Sequence, residues 1–429
     1  MQVTVAFGTA GLALDLPEGC QYIVLDTRSA RPLDDPAKAI EQALDDPIGT
    51  APLAELARGK RSAAISVCDI TRPAPNSQVL PPVLRRLEAA GVASKAITIL
   101  IATGLHRPAT EAEIREIVGP GVAAGYRVVN HDARNRESHA HLGETESGTP
   151  VFIDKRFVNA GLRITLGFIE PHLMLGYSGG RKLVAPGLAA QETITVLHNP
   201  RFMRDPRTHE GCIEGNPLHE ELLEIAAMAR HDFMVDVALS RDRAIAGVFA
   251  GDPVEAHRTG VRFVSRTLLR RLPEPVDAVI TTGAGYPLDL TYYQSIKGVT
   301  AAQHIVRDGG RILVMAACAE GAGAPEFRRM LKEFPSPDEF MDRIAEAPVV
   351  IDQWQLEKLA LVARKKEIHY YVPGLPAEYH ATLWGKAYAS PDEAVAGLLR
   401  GLPAGAKVAV IPDGPYVLAK VSPGGTGAA

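Results

Sequence analysis

Short apolar runs rich in β-branched residues alternate along the chain with segments that have the spacing of amphipathic helices. In the first half the pattern predicts strands at residues 3–7, 63–67, 97–101, 128–130 and 164–166. Predicted helices cover residues 36–44, 78–90 and 110–118, and Asn76 and Ser77 are the N-caps expected for the second of these. Alternation of this kind predicts an α/β fold with a largely parallel sheet.

A second set of elements begins after residue 275. It contains predicted strands at residues 278–282, 312–315 and 408–411, and predicted helices at 325–332, 337–344 and 391–399. Each of these three helices begins with a proline, which suits the first helical position. The segment 269–275 (LRRLPEP) is predicted to be a linker, and residues 423–429 a frayed tail. We therefore expect two α/β domains, at residues 1–270 and 271–429.

Composition excludes several classes of protein. The 429 residues favour two or three domains. The formal net charge of -4 gives no support to nucleic-acid binding by bulk charge. No apolar stretch approaches the roughly 18 residues of a membrane span, and the N-terminal segment lacks the features of a signal peptide. The four cysteines lie far apart, without metal-site spacing, so we expect a cytoplasmic enzyme with reduced thiols.

Polar clusters follow four of the predicted strands, where ligands bind in open α/β sheets. They cover residues 69–73 (DITRP), 103–108 (TGLHRP), 130–132 (NHD) and 170–172 (EPH). Each cluster also has a structural interpretation. Asp69 could cap a turn beside an ion-paired Arg72, and His106 could be a surface residue at a helix entry. His131 and Asp132 are adjacent on a strand end and point apart, which favours a structural role.

The segment 170–198 contains the densest set of candidate residues. Gly176, Gly179 and Gly180 precede Arg181 and Lys182, a pattern that indicates an anionic ligand or, alternatively, a mobile surface loop. The spacing does not match a P-loop or a dinucleotide fingerprint. A partly buried lysine could be a nucleophile, although most lysines are merely solvated. His198, at the end of a predicted helix at 191–197, could cap that helix or bind a metal.

The second half offers a smaller set of candidate residues. Gln294 and Lys297 are three residues apart on a predicted helix, so an amide and an ammonium share one face and suit a small carboxylate. The alternative is an ordinary amphipathic helix with an exposed lysine. Trp354 lies in a polar setting and could stack on a ligand or pack at an interface.

Taken together, six motifs make the chain resemble the nickel-pincer-nucleotide lactate racemase family. They are CDITRP at 68–73, TGLHR at 103–107, EPH at 170–172, GYSGGRKLVAPG at 176–187, LHNP at 197–200 and YYQSIK at 292–297. The resemblance implies two α/β domains with the active site in the cleft between them. It also implies a cofactor, pyridinium-3,5-bisthiocarboxylic acid mononucleotide holding nickel, which separate accessory proteins synthesise.

The resemblance implies a role for each matching residue. Lys182 is similar to the lysine that tethers the cofactor, and His198 to the protein ligand of nickel. His106 and His172 match the paired acid/base histidines. Arg72, Gln294 and Lys297 match the residues that bind the substrate. The remaining matches are to residues that hold the cofactor, with the glycine loop near its phosphate: Asp69, Ile70, Thr71, Arg72, Ser178, Gly179, Gly180, Tyr293 and Trp354.

The implied activity is racemisation or epimerisation of a short 2-hydroxy acid. Hydride would leave the substrate carbon for the pyridinium ring and return to the opposite face, through a 2-keto acid. Three alternatives remain open at this stage: a 2-hydroxyacid or polyol dehydrogenase with the same cofactor, a non-catalytic nucleotide- or anion-binding module, and a Schiff-base lyase that uses Lys182. The expected partners are a small-molecule substrate and the cofactor-synthesis proteins, with neither nucleic acid nor membrane.

Overall fold

The computed structural model describes residues 1–26, 30–345 and 347–422. The predicted tail at 423–429 lies outside these residues. The chain divides into two units. We name them the N-terminal unit (Ser29–Leu197 and Arg207–Thr267) and the C-terminal unit (Met1–Arg28, His198–Pro206 and Leu268–Ala429).

The strands are numbered in chain order. They are β1 (Gln2–Val5), β2 (Leu12–Asp15), β3 (Gln21–Val24), β4 (Ala63–Cys68), β5 (Ile97–Ala102), β6 (Arg127–Asn130), β7 (His139–Glu144), β8 (Pro150–Asp154), β9 (Leu162–Phe168), β10 (Pro171–His172), β11 (Gly176–Tyr177), β12 (Phe233–Leu239), β13 (Ile245–Gly251), β14 (Leu269–Leu272), β15 (Val276–Thr282), β16 (Val306–Met315), β17 (Glu367–Tyr371), β18 (Lys386–Ala387), β19 (Lys407–Val410) and β20 (Leu418–Val421).

The α-helices are numbered in the same way, and the 3₁₀ helix that matters for the site is Gly180–Leu183. The α-helices are α1 (Pro36–Asp45), α2 (Leu53–Ala57), α3 (Asn76–Ala89), α4 (Glu111–Val118), α5 (Pro120–Gly125), α6 (Lys155–Val158), α7 (Gln191–Leu197), α8 (Pro200–Met203), α9 (Pro217–Met228), α10 (Glu255–Leu268), α11 (Tyr292–Ala302), α12 (Pro325–Glu333), α13 (Pro337–Arg343), α14 (Gln353–Ala363) and α15 (Pro391–Leu399).

The N-terminal unit contains a six-stranded sheet in the order β13-β12-β9-β4-β5-β6. All neighbours in it are parallel except β12 and β13. The central strands β4 and β9 are buried at every residue, as expected for a parallel sheet that is covered on both faces. Apolar residues of α1, α2, α3 and α4 pack with these strands into one core.

The C-terminal unit contains a second six-stranded sheet, in the order β18-β17-β16-β15-β19-β3, and every pair in it is parallel. One core of this unit includes residues of α11, α12, α13 and α14, and another includes residues of α15 and the β1–β2 hairpin. The prediction of an α/β fold with mainly parallel sheets is therefore confirmed.

The structural division differs from the expected domains at 1–270 and 271–429 in two segments. Strand β3 pairs with β19, which places the first residues of the chain in the C-terminal unit. The segment His198–Pro206 also belongs to that unit. Pairing between residues almost 390 positions apart leaves no trace in local hydrophobic spacing, so the sequence pattern alone did not indicate it.

Two local predictions were wrong. The expected linker at 269–275 contains β14, which pairs in parallel with β20. The expected N-caps are also incorrect, because α3 begins at Asn76 after Pro75. The Asn76 side chain instead donates to the carbonyl oxygen of Cys68 at 3.4 Å, which ties the helix start to the end of β4.

Candidate functional site

All four predicted polar clusters follow strands that lie side by side in the N-terminal unit, in the order β9-β4-β5-β6. The order β5-β4-β9 places His106 after β5, Asp69 after β4 and His172 after β9. Because these strands are parallel, their carboxyl ends lie at one edge of the sheet, where ligands bind in open α/β folds. The structure therefore brings these three predicted site residues to a common edge.

A hydrogen bond joins the side chains of Asp69 and His106. Oδ2 of Asp69 lies 2.7 Å from Nδ1 of His106, and Oδ1 accepts a hydrogen bond from the Thr71 hydroxyl at 2.7 Å. Burial of Asp69 would raise its carboxyl pKa. The bond to His106 and the charges of His106 and Arg72 outweigh that effect and lower it. Asp69 is therefore ionised at neutral pH, and a capped turn alone does not describe its role.

The other residues of the first motif surround this pair. Ile70 packs against the core of the N-terminal unit and anchors the segment after β4. Nη1 of Arg72 lies 3.2 Å from both the hydroxyl and the carbonyl oxygen of Thr71. The side chain of His106 is 53% exposed whereas that of Asp69 is only 6% exposed, so the imidazole is accessible and its partner is not.

His172 lies in a short hairpin formed by β10 and β11, where it is paired with Gly176. Its Nδ1 accepts hydrogen bonds from the backbone N–H groups of Met174 and Leu175, at 3.3 and 3.4 Å. The hairpin therefore holds the ring from its own backbone, whereas His106 is held by a carboxylate.

Lys182 lies in the 3₁₀ helix Gly180–Leu183, beside the same strand ends. The Ser66 hydroxyl of β4 donates to the carbonyl oxygen of Leu183 at 2.8 Å, and Gly104 N donates to that of Gly187 at 3.1 Å. Burial raises the pKa of the Cys68 thiol to about 12, and the positive charge of Lys182 acts on the same thiol in the opposite direction. Lys182 is thus brought to the edge that carries Asp69, His106 and His172.

Buried polar residues hold the loop that carries Lys182, and most of them were not predicted from the sequence. Asp236 on β12 accepts a hydrogen bond from Gly180 N at 2.8 Å, and burial raises its pKa to about 7. Arg181 donates to the carbonyl oxygens of Leu175, Tyr177 and Gly179, at 3.0 to 3.2 Å. The only signal was a single carboxylate within the apolar strand FMVDVAL.

Arg181 is almost completely buried, and burial lowers its pKa to about 9. Its Nη1 lies 2.8 Å from Nε2 of His257, which is itself 2.8 Å from the carbonyl oxygen of Ser178. Burial also lowers the pKa of His257 well below its usual value. Arg181 therefore binds its own loop and does not supply the exposed cation expected beside an anionic ligand.

The glycine loop also forms hydrogen bonds within its own unit. The Ser178 hydroxyl donates to the carbonyl oxygen of Phe168 and accepts from Glu170 N, at 2.8 and 3.0 Å. The N–H of Gly180 is bound to Asp236, as described above. These internal bonds hold Ser178 and Gly180 in the loop that precedes Lys182, and contact of this loop with the cofactor stays a prediction.

Gly179 is expected to tolerate no side chain. Its φ is 89°, and a Cβ there would lie 2.1 Å from Oδ2 of Asp236. Gly179→Ala should therefore destabilise the protein by about 3 kcal/mol or more, since strain of roughly 1–2 kcal/mol is joined by displacement of a buried carboxylate. Gly148→Ala is the matched control, with a φ of 85° and no atom within 4 Å of the Cβ. Equal shifts of the urea unfolding midpoint in both variants would contradict this account.

The remaining predicted residues form a second group, in the C-terminal unit. Tyr293, Gln294 and Lys297 lie in the first two turns of α11, after the N-cap Thr291. Nε1 of Trp354, near the start of α14, donates to the Tyr293 hydroxyl at 3.3 Å. The buried Oε1 of Gln294 has no hydrogen-bond partner within the described part of the chain.

His198 belongs to this second group. Its ring lies against that of Trp354, with 4.2 Å between the ring centroids. The segment that carries it is fixed to α14 by two contacts: Arg204 Nε donates to Glu357 at 2.8 Å, and Lys358 Nζ donates to the carbonyl oxygen of Met203 at 2.8 Å. Sequence reading missed Glu357 and Lys358, although a charged pair inside the helix QWQLEKLALVA was a usable signal.

The predicted site residues therefore lie in two groups, one in each unit. The first contains Asp69, Ile70, Thr71, Arg72, His106, His172, Ser178, Gly179, Gly180 and Lys182. The second contains His198, Tyr293, Gln294, Lys297 and Trp354. Within the described ranges, no helix combines the length and apolar character needed to cross a membrane.

Comparison with known proteins identifies the family. The lactate racemase N-terminal domain matches residues 7–211, and the lactate racemase C-terminal domain matches residues 273–419. The lactate racemase of Thermoanaerobacterium thermosaccharolyticum is 33% identical over 97% of this chain and 99% of its own length. That of Lactiplantibacillus plantarum is 35% identical over 89% of this chain and 91% of its own length.

Solved structures agree with these matches. The lactate racemase apoprotein from Thermoanaerobacterium thermosaccharolyticum superimposes with a TM-score of 0.91, covering 98% of this chain and all of the other, at 33% identity. A crystal structure of a Thermotoga maritima protein has a TM-score of 0.67 and covers 92% of this chain and all of its own, but at 16% identity it shows the fold alone. As its motifs predicted, the chain belongs to the lactate racemase family and is an isomerase of the racemase class.

Proposed function

We propose that this chain racemises lactate or a similar short 2-hydroxy acid. The observation that carries the proposal is the convergence of His106, His172 and Lys182 at one edge of the N-terminal sheet. Two imidazoles and a lysine beside an ionised carboxylate supply proton acceptors, proton donors and an attachment point. Family membership supports the assignment, because both curated relatives carry the name lactate racemase.

The chemistry of the substrate explains why this set of groups is needed. Inverting a 2-hydroxy acid means breaking an unactivated Cα–H bond, and the neighbouring carboxylate stabilises a carbanion poorly. Removal of hydride gives a planar 2-keto acid instead, provided that a base takes the hydroxyl proton. The nickel-pincer nucleotide, when bound, supplies a ring that accepts hydride and returns it.

The residues present fit that cofactor chemically. Imidazole is a suitable nickel ligand beside sulfur, and His198 presents one against the ring of Trp354. Oε1 of Gln294, which has no hydrogen-bond partner among the residues that the structure describes, is a buried acceptor of the kind that a bound polar group would satisfy. We propose that His198 binds nickel, that Lys182 anchors the nucleotide, and that Asp69, Ile70, Thr71, Gly179, Tyr293 and Trp354 hold it. Accessory proteins would synthesise the cofactor.

His106 and His172 would move the hydroxyl proton. One imidazole takes it from one enantiomer, and the other serves the opposite enantiomer after the planar keto acid has turned. Histidine is the side chain that most readily gains and loses a proton near neutral pH, which suits proton transfer in both directions. Arg72 and Lys297 would hold the carboxylate while the rest of the substrate turns, with the Gln294 amide as a further polar contact.

Chiral analysis of the purified protein tests this function. The chain is expressed together with cofactor-synthesis proteins and given L-lactate or D-lactate, and then a panel of other 2-hydroxy acids. We expect each lactate enantiomer to approach an equal mixture, with no accumulation of pyruvate. Accumulation of the keto acid would indicate a dehydrogenase. No conversion of any acid by nickel-loaded protein would contradict the proposal, and protein expressed without the accessory proteins is the control.

A further inference from the structure

The bond between Asp69 and His106 determines where the imidazole proton lies. An ionised carboxylate can only accept hydrogen bonds, so Nδ1 of His106 must donate across the 2.7 Å contact. The neutral ring therefore carries its hydrogen on Nδ1, and Nε2 is a hydrogen-bond acceptor. Asp69 is itself fixed, because its second oxygen accepts from the Thr71 hydroxyl.

His172 is held in the opposite way. Its Nδ1 faces the backbone N–H groups of Met174 and Leu175, which can only donate. The neutral ring must therefore accept at Nδ1 and carry its hydrogen on Nε2. The β10–β11 hairpin keeps these donors in place, since the pairing of His172 with Gly176 sets the course of the backbone between them.

We propose that Asp69 is the positioning residue of His106, and that the two acid/base histidines are held in opposite tautomers. Nε2 of His106 is then an acceptor, and Nε2 of His172 is a donor. This inference rests on the proposed function for its catalytic meaning, but the tautomers themselves are a property of the chain without cofactor or substrate. It gives Asp69 a role beyond that of holding the cofactor.

The arrangement makes the two histidines unequal in the reaction. When the substrate hydroxyl faces His106, its O–H bond breaks and the proton moves to Nε2. The resulting imidazolium is stabilised by the ionised Asp69, which keeps its charge. His172 has backbone donors where His106 has a carboxylate, so in the chain without substrate its Nε2–H is a hydrogen-bond donor. The His172 ring must change to the Nδ1–H tautomer before its Nε2 can accept the hydroxyl proton of the opposite enantiomer.

Nitrogen NMR of the full chain tests the tautomers directly. The protein is labelled with ¹⁵N-histidine, and two-bond proton–nitrogen correlations are recorded at a pH of about 8, above the ordinary histidine pKa. His106→Gln and His172→Gln assign the two rings. We expect the Nδ1–H pattern for His106 and the Nε2–H pattern for His172. The same tautomer at both positions, or the reverse assignment, would overturn the proposal.

Asp69→Asn separates positioning from cofactor binding. We expect the variant to lose the Nδ1–H pattern of His106, leave His172 unchanged, and lower kcat by roughly 10²–10⁴-fold while the cofactor adduct stays on Lys182. Glu113→Gln is the matched control, because it removes a nearby half-buried carboxylate that pairs with Arg107. An unchanged His106 spectrum in Asp69→Asn would contradict the role of Asp69.

The two proposals fail in different ways. The tautomer spectra need neither cofactor nor substrate, so a chain without racemase activity could still show opposite tautomers. Conversely, an active racemase with identical tautomers would leave the proposed function standing and remove this inference. The wild-type spectrum is sufficient for that decision even if Asp69→Asn fails to fold.

Discussion

Lys182→Arg is expected to abolish both covalent cofactor attachment and racemisation, down to the level of a protein-free sample. Arginine keeps the positive charge that acts on Cys68, so the electrostatics of the strand end are preserved. Its guanidinium is not a nucleophilic amine, and therefore cannot form the tether proposed for Lys182. Intact-mass measurement after expression with the accessory proteins checks the attachment, and chiral analysis checks the activity.

Lys155→Arg serves as the matched control for this substitution. Lys155 lies in the same unit, and its exposed ammonium donates to the carbonyl oxygen of Glu137 at 2.7 Å, so it has no part in the proposed site. We expect this variant to keep the adduct mass and the activity of the original chain. A cofactor adduct that persists in Lys182→Arg would show that the tether lies elsewhere.

His106→Ala and His172→Ala should each lower kcat by roughly 10²–10⁴-fold, the usual contribution of a general acid or base. Each enantiomer meets one histidine as base and the other as acid, so loss of either ring should impair both directions. Nickel and the cofactor adduct should remain, because the proposed attachment points Lys182 and His198 are unchanged. Chiral analysis and metal content on the same sample check both parts of the prediction.

His141→Ala is the control for these histidine variants. His141 lies on β7 and is exposed, and its ring stacks on Phe152 at 4.4 Å between centroids. We expect its activity to match that of the original chain. If either His106→Ala or His172→Ala retained full racemisation, the histidine in question would have no acid/base role.

Much of the fold followed from the sequence, because the buried parallel strands are short continuous apolar runs. Strand β4 was predicted at 63–67 and spans Ala63–Cys68, and β5 was predicted at 97–101 and spans Ile97–Ala102. The three prolines expected at helix starts also occupy first-turn positions of α12, α13 and α15. Local pattern is informative here because the same residues set both the element and its burial.

What the sequence could not supply was long-range pairing. The placement of β3 beside β19 and the pairing of β14 with β20 join segments that are distant in the chain. Hydrophobic spacing describes only neighbouring residues, so it predicted a contiguous first domain and a linker at 269–275. In the structure, the first residues of the chain belong to the C-terminal unit, and residues 269–272 form the paired strand β14.

In the candidate site, too, local features were predictable from the sequence and long-range contacts were not. Strand ends and motifs placed His106, Asp69 and His172 together, because neighbouring parallel strands end at one edge. The internal bonds of the loop before Lys182 were hidden, since the partners of Gly180 and Arg181 are Asp236 and His257, over fifty residues away. Glycine spacing and an adjacent cation are equally compatible with a loop that binds a ligand and with a loop stabilised by its own hydrogen bonds.

Racemisation of L-lactate in D₂O is the measurement that tests the central claim most directly. If hydride leaves the substrate carbon and returns to its other face, the D-lactate formed will keep its original hydrogen at that carbon. Mass spectrometry of the separated enantiomer should then show no deuterium there, even at an equal mixture. D-lactate that carries deuterium at this carbon would show that the bond is broken by proton removal, and the account would be contradicted.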